Sequence, residues 1–417
     1  MKLALIPAAH ELISNMRAFF QINGTRLDRS NEEPLREELF SSFQMERFGK
    51  TLASRHKLST KRAKDHLLKR LADNEATLQE VRKLLTDSIK RKYQVTPAGE
   101  WLIDNYYLIE EHIRIAKTHF PKNYSEDLPQ LSDESSFGVT RSYDIVLQII
   151  SHSDGRIDME SLSGFVTAYQ SVTTLKLGEL WSIPIMLRLA LIENIRRVSA
   201  LIAIDKVDSN LANYWAAKMI ETTENTPKDL ILVIADMARS NPPIVSAFVS
   251  ELIRQLRGKG PELGSVLNWI EQQLSGSGLT STELVNAENQ KQAANQVSMS
   301  NSIGSLRLLG AMDWRQFVES HSVVEKTLLE DKAGVYGLMD FATRDRYRHV
   351  VFLFRFINNH ISDTNFVVHR IIYRACHCRN HLHPDGKRSA CSIIDIQNKC
   401  CVARIGRNAI IGHANDI

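Results

Sequence analysis

The stretch from Phe165 to Arg197, FVTAYQSVTTLKLGELWSIPIMLRLALIENIRR, is long and apolar, yet it is studded with charge. Glu179, Arg188, Glu193, Arg196 and Arg197 interrupt it. A membrane span needs about 20 residues with few or no charges, so the run predicts a central helix of a soluble bundle. Trp181, Ile185, Leu189 and Ile192 fall on one face at helical spacing. Met186 and Leu187 broaden that face until little of the helix can look at water. Pro184 lacks a backbone donor and predicts a kink or a restart. Glu193 precedes Arg196 and Arg197 by three and four residues, a pairing worth only tenths of a kcal/mol on an exposed helix.

The flanking chain is patterned the same way. Residues 1–30 are weakly patterned and predict a partly ordered lead-in. From Asn31 a helix is expected, with Pro34 in its first turn and Leu35, Leu39 and Phe43 along one face. A second long helix is expected from about Ser59 to Lys92, pairing antiparallel with the first. Thr96-Pro97 is a cap followed by proline at the first helical position, opening one helix over GEWLIDNYYLIEEHIRIAKTHF. A helix over 140–151 ends at the turn Ser153–Gly155, and Asp158 caps another that runs into the central stretch. Short helices follow over 205–300, broken at Thr226-Pro227, Asn241-Pro242-Pro243, Gly258–Pro261 and Gly276–Gly278. SMSNSIGSLRLL (298–309) reads as a polar cap before an apolar run, and Asp313-Trp314 opens a helix ending near Glu330. The fold class expected is all-α, a multi-helix bundle or array. Its helical domains are 31–204 and 205–351, followed by an unstructured or aberrant tail at 352–417.

That tail differs in kind. It holds all five cysteines, no Glu, eleven Ile against two Leu, and six of the fourteen His. It carries nine Lys/Arg and four Asp of the chain's 52 and 48. The body before it is therefore almost neutral, and the net charge of +4 comes from the tail. A neutral body lacks the basic stripe of a nucleic-acid binder. A body without cysteine fits a reducing compartment, and a cytoplasmic location is expected.

Chemistry is sparse. Cys376-His377-Cys378, His381, His383, Cys391 and Cys400-Cys401 are metal-ligand types, but at spacings unlike those of zinc sites. No metal or cofactor site is assigned. Glu110-Glu111 and Glu100 with Asp104 could be acid–base pairs, though such pairs are usually a solvated helix face. Arg344-Asp345-Arg346-Tyr347-Arg348 could fork a phosphate or carboxylate, or form a helix-end ion-pair network. There is no GxxxxGK[ST], no GxGxxG after a strand, no DxD and no QxxRW.

Several stretches, taken in order, carry a resemblance. They are PLREELFS (34–41), RLADNEATL (70–78), TPAGEWLIDNYYLIEEHIR (96–114), PKNYSEDLPQL (121–131), the long 152–197 segment, NSIGSLRLLGAMDW (301–314) and DKAGVYGLMDFATRDRYRHVV (331–351). Together they resemble the N-terminal region of the cyclic β-1,2-glucan synthases. The resemblance implies a parent that is a large bacterial inner-membrane enzyme. In it a cytoplasmic helical region precedes membrane segments and a transferase domain that uses UDP-glucose with a divalent metal. The DxD and QxxRW motifs belong to that domain, so no catalytic residue carries over. The motif positions that do carry over, as structural or interface residues, are Glu100, Trp101, Asp104, Asn105, Glu110, Glu111, Glu179, Trp181, Arg188, Glu193, Asn194, Asp313, Trp314, Arg344, Asp345, Arg346 and Tyr347. Gly99 stands where the family usually shows Ala, at a cost of about 1 kcal/mol of helix propensity.

The family's helical pattern continues past the RDRYRHVV run, whereas here it stops. The expectation is a reading-frame slip near Val351, with 352–417 translated out of frame. Two functions are then open. One is an accessory, non-catalytic fragment of a glucan synthase, whose partners would be the parent's transferase and membrane domains. The other is a stand-alone helical interaction module.

Overall fold

The computed structural model describes residues 32–59, 66–120, 124–132, 138–276, 278–331 and 334–357. The expected lead-in at 1–30, and the tail beyond Ile357 with all its Cys and His candidates, lie outside them. Among the described residues the regular structure is helical, and β-pairing is confined to two isolated bridges, Leu58 with Leu131 and Gln130 with Thr140. The fold is all-α. It divides into two compact units, Met1–His321 and Ser322–Ile417.

In the first unit the chain enters as an extended strap, not the expected helix. Helix α1 starts only at Ser42 and ends at Arg55, because Ser41 and Gln44 form a reciprocal capping box there. Leu39 and Phe43 are exposed rather than buried along a face. Helix α2 is Leu67–Lys90. The expected pairing of these two helices does not form: α1 packs on α7 (Met159–Gln170), and α2 packs on α8 (Leu177–Asn225). The expected helix from Pro97 breaks at Asn105 into α3 (Pro97–Asp104) and α4 (Tyr106–His119), because the Asn105 side chain bonds the Trp101 carbonyl. A single turn, α5 (Tyr124–Asp127), leads to α6 (Arg141–Ser153). The SDG turn is as expected, with Asp154 and Gly155 both at positive φ.

Helix α8 organises this unit. It runs 49 residues, about 74 Å at about 1.5 Å per residue. It passes through Pro184 without restarting, since Ile183, Met186 and Leu187 are buried on both sides of the proline. The central stretch is not one helix, because the turn at 171–176 separates α7 from α8. The domain boundary expected between 204 and 205 falls inside α8, where the two positions are consecutive helical residues. Up to Ala203, α8 lies in one apolar core, with α2, α4, α6 and α7. From Leu211 to Met219 it enters a second core, with α9 (Leu230–Arg239), α10 (Ser246–Leu256) and α11 (Gly264–Ser275).

The breaks between those shorter helices fall where proline and glycine predict them. Helix α12, Ser281–Leu309, then returns along α8 and closes against α3 and α4. The SMSNSIGS run is the interior of α12, not a cap. Its serines Ser298, Ser302 and Ser305 are buried. Helix α13 (Trp314–His321) completes the unit. The helix expected to continue to Glu330 ends there because Ser322 caps a new one.

The second unit, over its described residues, is α14 (Val323–Leu329) packed against α15 (Phe341–Ile357) with a small core of Leu328 and Tyr336. Helix α15 continues six residues past Val351.

Candidate functional site

Helix α8 carries two buried acids about four turns apart, and each assembles an ionic centre. Glu179 sits in the first turn and is fully buried. Arg141 from α6 meets it edge-on, Nε to Oε1 at 2.7 Å and Nη2 to Oε2 at 2.5 Å. Glu179 also accepts the Lys176 backbone N–H at 2.8 Å. Burial works against the Arg141 charge, but the Glu179 pairing wins and holds its pKa above the usual guanidinium value.

Glu193 is the hub of the second centre. Its carboxylate accepts from Arg70 Nε (3.0 Å) and Nη2 (2.6 Å), Asn74 Nδ2 (2.7 Å), Arg196 Nη2 (2.7 Å) and Arg197 Nε (2.9 Å). Burial pushes the Glu193 carboxyl up. The Arg70 hydrogen bonds and the charges of Arg196, Arg70 and Arg197 outweigh it and hold the group well below the carboxylate range. Glu32 of the strap reaches the same arginines, 2.6 Å from Arg196 and 3.3 Å from Arg70. This centre is buried, where the sequence spacing alone suggested an exposed pair.

A polar seam adjoins it. Asn194 Oδ1 accepts the Leu35 N–H at 2.8 Å, while its Nδ2 donates to Ser298 Oγ (3.2 Å) and Ser302 Oγ (3.0 Å). Ser305 donates to the Gly155 carbonyl (2.7 Å) and accepts the Ile157 N–H (2.8 Å). Arg36 of the strap bonds Asp154 and the Ala294 carbonyl. The strap is thus laid across α6, α8 and α12 by polar contacts.

The other motif positions scatter. Glu100, Trp101, Asp104 and Glu111 are exposed, and exposed Glu110 meets Arg82 at 3.4 Å. Asn105 accepts from Arg307 of α12 at 2.9 Å. Trp181 is half-buried against the first core. Asp313 accepts the Gln316 N–H, and Trp314 donates Nε1 to the Leu309 carbonyl. In the second unit, Arg344 and Arg348 converge on buried Glu325 at 3.1 and 2.7 Å, with Tyr336 donating its hydroxyl at 2.6 Å. Asp345 pairs with Arg348, Tyr347 packs edge-on to Tyr336, and Arg346 is exposed. The run is the ion-pair network of the two sequence alternatives. Motif positions Glu193, Asn194 and Glu179 therefore lie at the centres, while their partners Arg70, Asn74, Arg141 and Glu32 stand outside the motif positions, as does Glu325.

A cleft of about 450 Å³ on the first unit is lined by Phe40, His152, Asp154, Arg156, Asp158 and Asn301. Its acids are engaged, Asp154 with Arg36 and Asp158 as the cap of α7. Another, of about 580 Å³, is lined by Lys92, Glu100, Asn213 and Arg254. Neither sets two free carboxylates across a gap. No group of three or more His, Cys, Asp or Glu among the described residues could hold a metal. No helix among them is long and apolar enough to cross a membrane.

No family model matches the chain. The cyclic beta-(1,2)-glucan synthase NdvB of Rhizobium meliloti (strain 1021) is 29% identical to it over 279 residues, which is 67% of this chain. The matched region spans only 10% of that relative. This similarity supports the relationship that the sequence stretches imply.

Proposed function

We propose that the chain is a non-catalytic helical accessory region, corresponding to the N-terminal part of a cyclic β-1,2-glucan synthase. The parent would be a membrane glucosyltransferase working from UDP-glucose and a divalent metal, with this region on the cytoplasmic side. Its partners would be the transferase and membrane domains. One observation carries the reading: the buried carboxylates at the ionic centres are consumed in holding helices together. Glu179, Glu193 and Glu325 are each neutralised by arginine. Glu193, held well below the carboxylate range by its arginines, stays ionised near pH 7 and does not shuttle a proton there.

Two measurements test it. Titrating the full chain with UDP-glucose and Mg²⁺ by calorimetry should give no saturable heat and no released UDP; turnover of the sugar nucleotide would overturn the reading. The nucleotide sequence after codon 351, read in all three frames, should resume with membrane and transferase segments of the synthase kind. Absence of such segments, with a stable soluble oligomer from the purified chain, would favour the stand-alone interaction module.

A further inference from the structure

The cleft of about 580 Å³ is walled by the end of α2, the 92–95 connection, α3, α8 and α10. Its volume lies within the roughly 300–1,000 Å³ usual for ligand sites. A buried cation fixes one wall. Lys206 of α8 is 5% exposed, and among the described residues it bonds no carboxylate. Its ammonium donates to the Gln94 carbonyl at 2.5 Å and lies 5.6 Å from the centre of the Tyr93 ring. Burial pushes its pKa down to about 8, so the charge is costly to keep there. Lys92, at φ +60°, turns the chain out of α2 into that wall.

The α8 and α10 side is fixed by a chain of polar bonds. Gln255 Nε2 donates to Asn213 Oδ1 at 2.7 Å and to Glu251 Oε1 at 3.0 Å. Arg254 grips the same Glu251 with Nε and Nη2, at 2.8 and 2.6 Å. Asn213 keeps Nδ2 as a donor, and the amide bonded to it keeps Gln255 Oε1 as an acceptor. Among the described residues these two atoms have no partner, and neither do the side chains of Gln94 and Glu100. Tyr93 adds a ring that is 37% exposed. The cleft therefore presents a held aromatic surface, a donor with an acceptor next to it, and an open carboxylate.

We propose that this cleft binds a neutral saccharide, with a pyranose ring laid on Tyr93 and its hydroxyls on Asn213, Gln255 and Glu100. A hydroxyl both donates and accepts, so neighbouring hydroxyls of one ring match the amide donor and acceptor together. The hydroxyls of β-glucopyranose are all equatorial, which leaves a C–H face for the negative face of the Tyr93 ring. Charge selects against an anion: Lys92 is offset by Glu100, Arg254 is held by Glu251, and Lys206 is engaged by Gln94 and Tyr93. An apolar peptide would leave the amides and Glu100 without partners. Saccharide binding goes beyond an accessory role and does not depend on it. Its test contains no sugar nucleotide, so its failure leaves that role standing.

The probes are the β-1,2-, β-1,3- and β-1,4-linked glucotrioses, each titrated into the full chain and read by saturation-transfer NMR. At least one should give a saturable signal on its ring C–H protons. Tyr93→Ala should weaken that binding by about tenfold, and Asn213→Ala by about threefold or more. Tyr93→Phe keeps the ring and should bind within about threefold of the parent. Tyr93 is exposed and Asn213 half-buried, and circular dichroism should show the parent helix content in all three variants. The absence of a saturable signal from every glucotriose would overturn the proposal. So would unchanged binding in Tyr93→Ala, or displacement of the sugar by inorganic phosphate, which would mark an anion site.

Discussion

Replacing Glu193 by Gln keeps the shape of the side chain and removes its charge. Five hydrogen bonds from four residues converge on that carboxylate. A Gln accepts through one oxygen only, and its NH₂ would face a guanidinium or the Asn74 amide. Breaking a buried ion pair from one side costs about 3–5 kcal/mol. Glu32 stays beside Arg196, and Arg70 and Arg197 have side chains 32% and 16% exposed, so some of the loss is recovered by water. About 4 kcal/mol is expected, a large share of the roughly 5–15 kcal/mol typical of a folded protein. The Arg141–Glu179 pair provides the contrast. There a single acid meets a single arginine in dry surroundings, so Arg141→Met with Glu179→Leu removes both charges together. Each single variant should cost about 3–5 kcal/mol, while the double should stay within about 2 kcal/mol of the parent. Urea unfolding followed by far-UV circular dichroism reads all four variants. The Glu193 pKa is depressed, so its stabilisation is complete above its ordinary value of 4.5 and is lost as pH falls through the folded value. Glu193→Gln should lack that component of acid unfolding. A loss under about 1 kcal/mol for Glu193→Gln, or a double variant as damaged as the sum of its singles, would refute the reasoning.

Gly155 holds φ +77°, and a Cβ there would lie 2.4 Å from Ser302 Oγ. Gly155→Ala should cost about 2 kcal/mol or more, and adding Ser302→Ala should recover the steric component only, leaving about 1 kcal/mol for the backbone; full recovery in the double variant would contradict this. His112 sits at about 4 in the fold against an ordinary 6.5, so the unfolded chain protonates first and stability is lost as pH falls between those values. Asp205, raised to about 6 by burial, acts in the opposite sense over the same range. The difference between the parent and His112→Gln isolates the histidine: the parent should lose about 2 kcal/mol more between pH 7 and pH 4.5, and equal losses would exclude the effect.

What periodicity and local chemistry encode is legible in the amino-acid order itself. Thr96 and Asp158 cap their helices through side-chain bonds to Gly99 and Ser161. The proline and glycine breaks from Thr226 to Gly278 fall between helices. These signals need only neighbours within a turn. The misreadings share a different cause. PLREELFS alternates like a helix start, but the backbone N–H groups of Leu35 and Glu37 donate to the Asn194 side chain and the Ser151 carbonyl, far along the chain. SMSNSIGS looks like a cap because its serines are polar, whereas their partners are Asn194, Ile157 and Gly155. Glu193 with its following arginines resembles a surface pair, because Arg70 arrives from 123 positions away. Spacing reports which face a residue takes, not what arrives to meet it.

Both apolar cores of the first unit are threaded on α8, and α12 locks the one nearer the N-terminus. Arg36 bonds the Ala294 carbonyl across 258 positions, and Ile303 and Leu306 of α12 belong to the core that Leu52 and Leu71 begin. A chain emerging from the ribosome at about 5–20 residues per second therefore exposes the apolar sides of α1, α2 and α6 for tens of seconds before their last wall is made. Nascent chains stalled before residue 281 should capture chaperones, and those that have released His321, whose helix adds Phe317 and Val318 to the same core, should not.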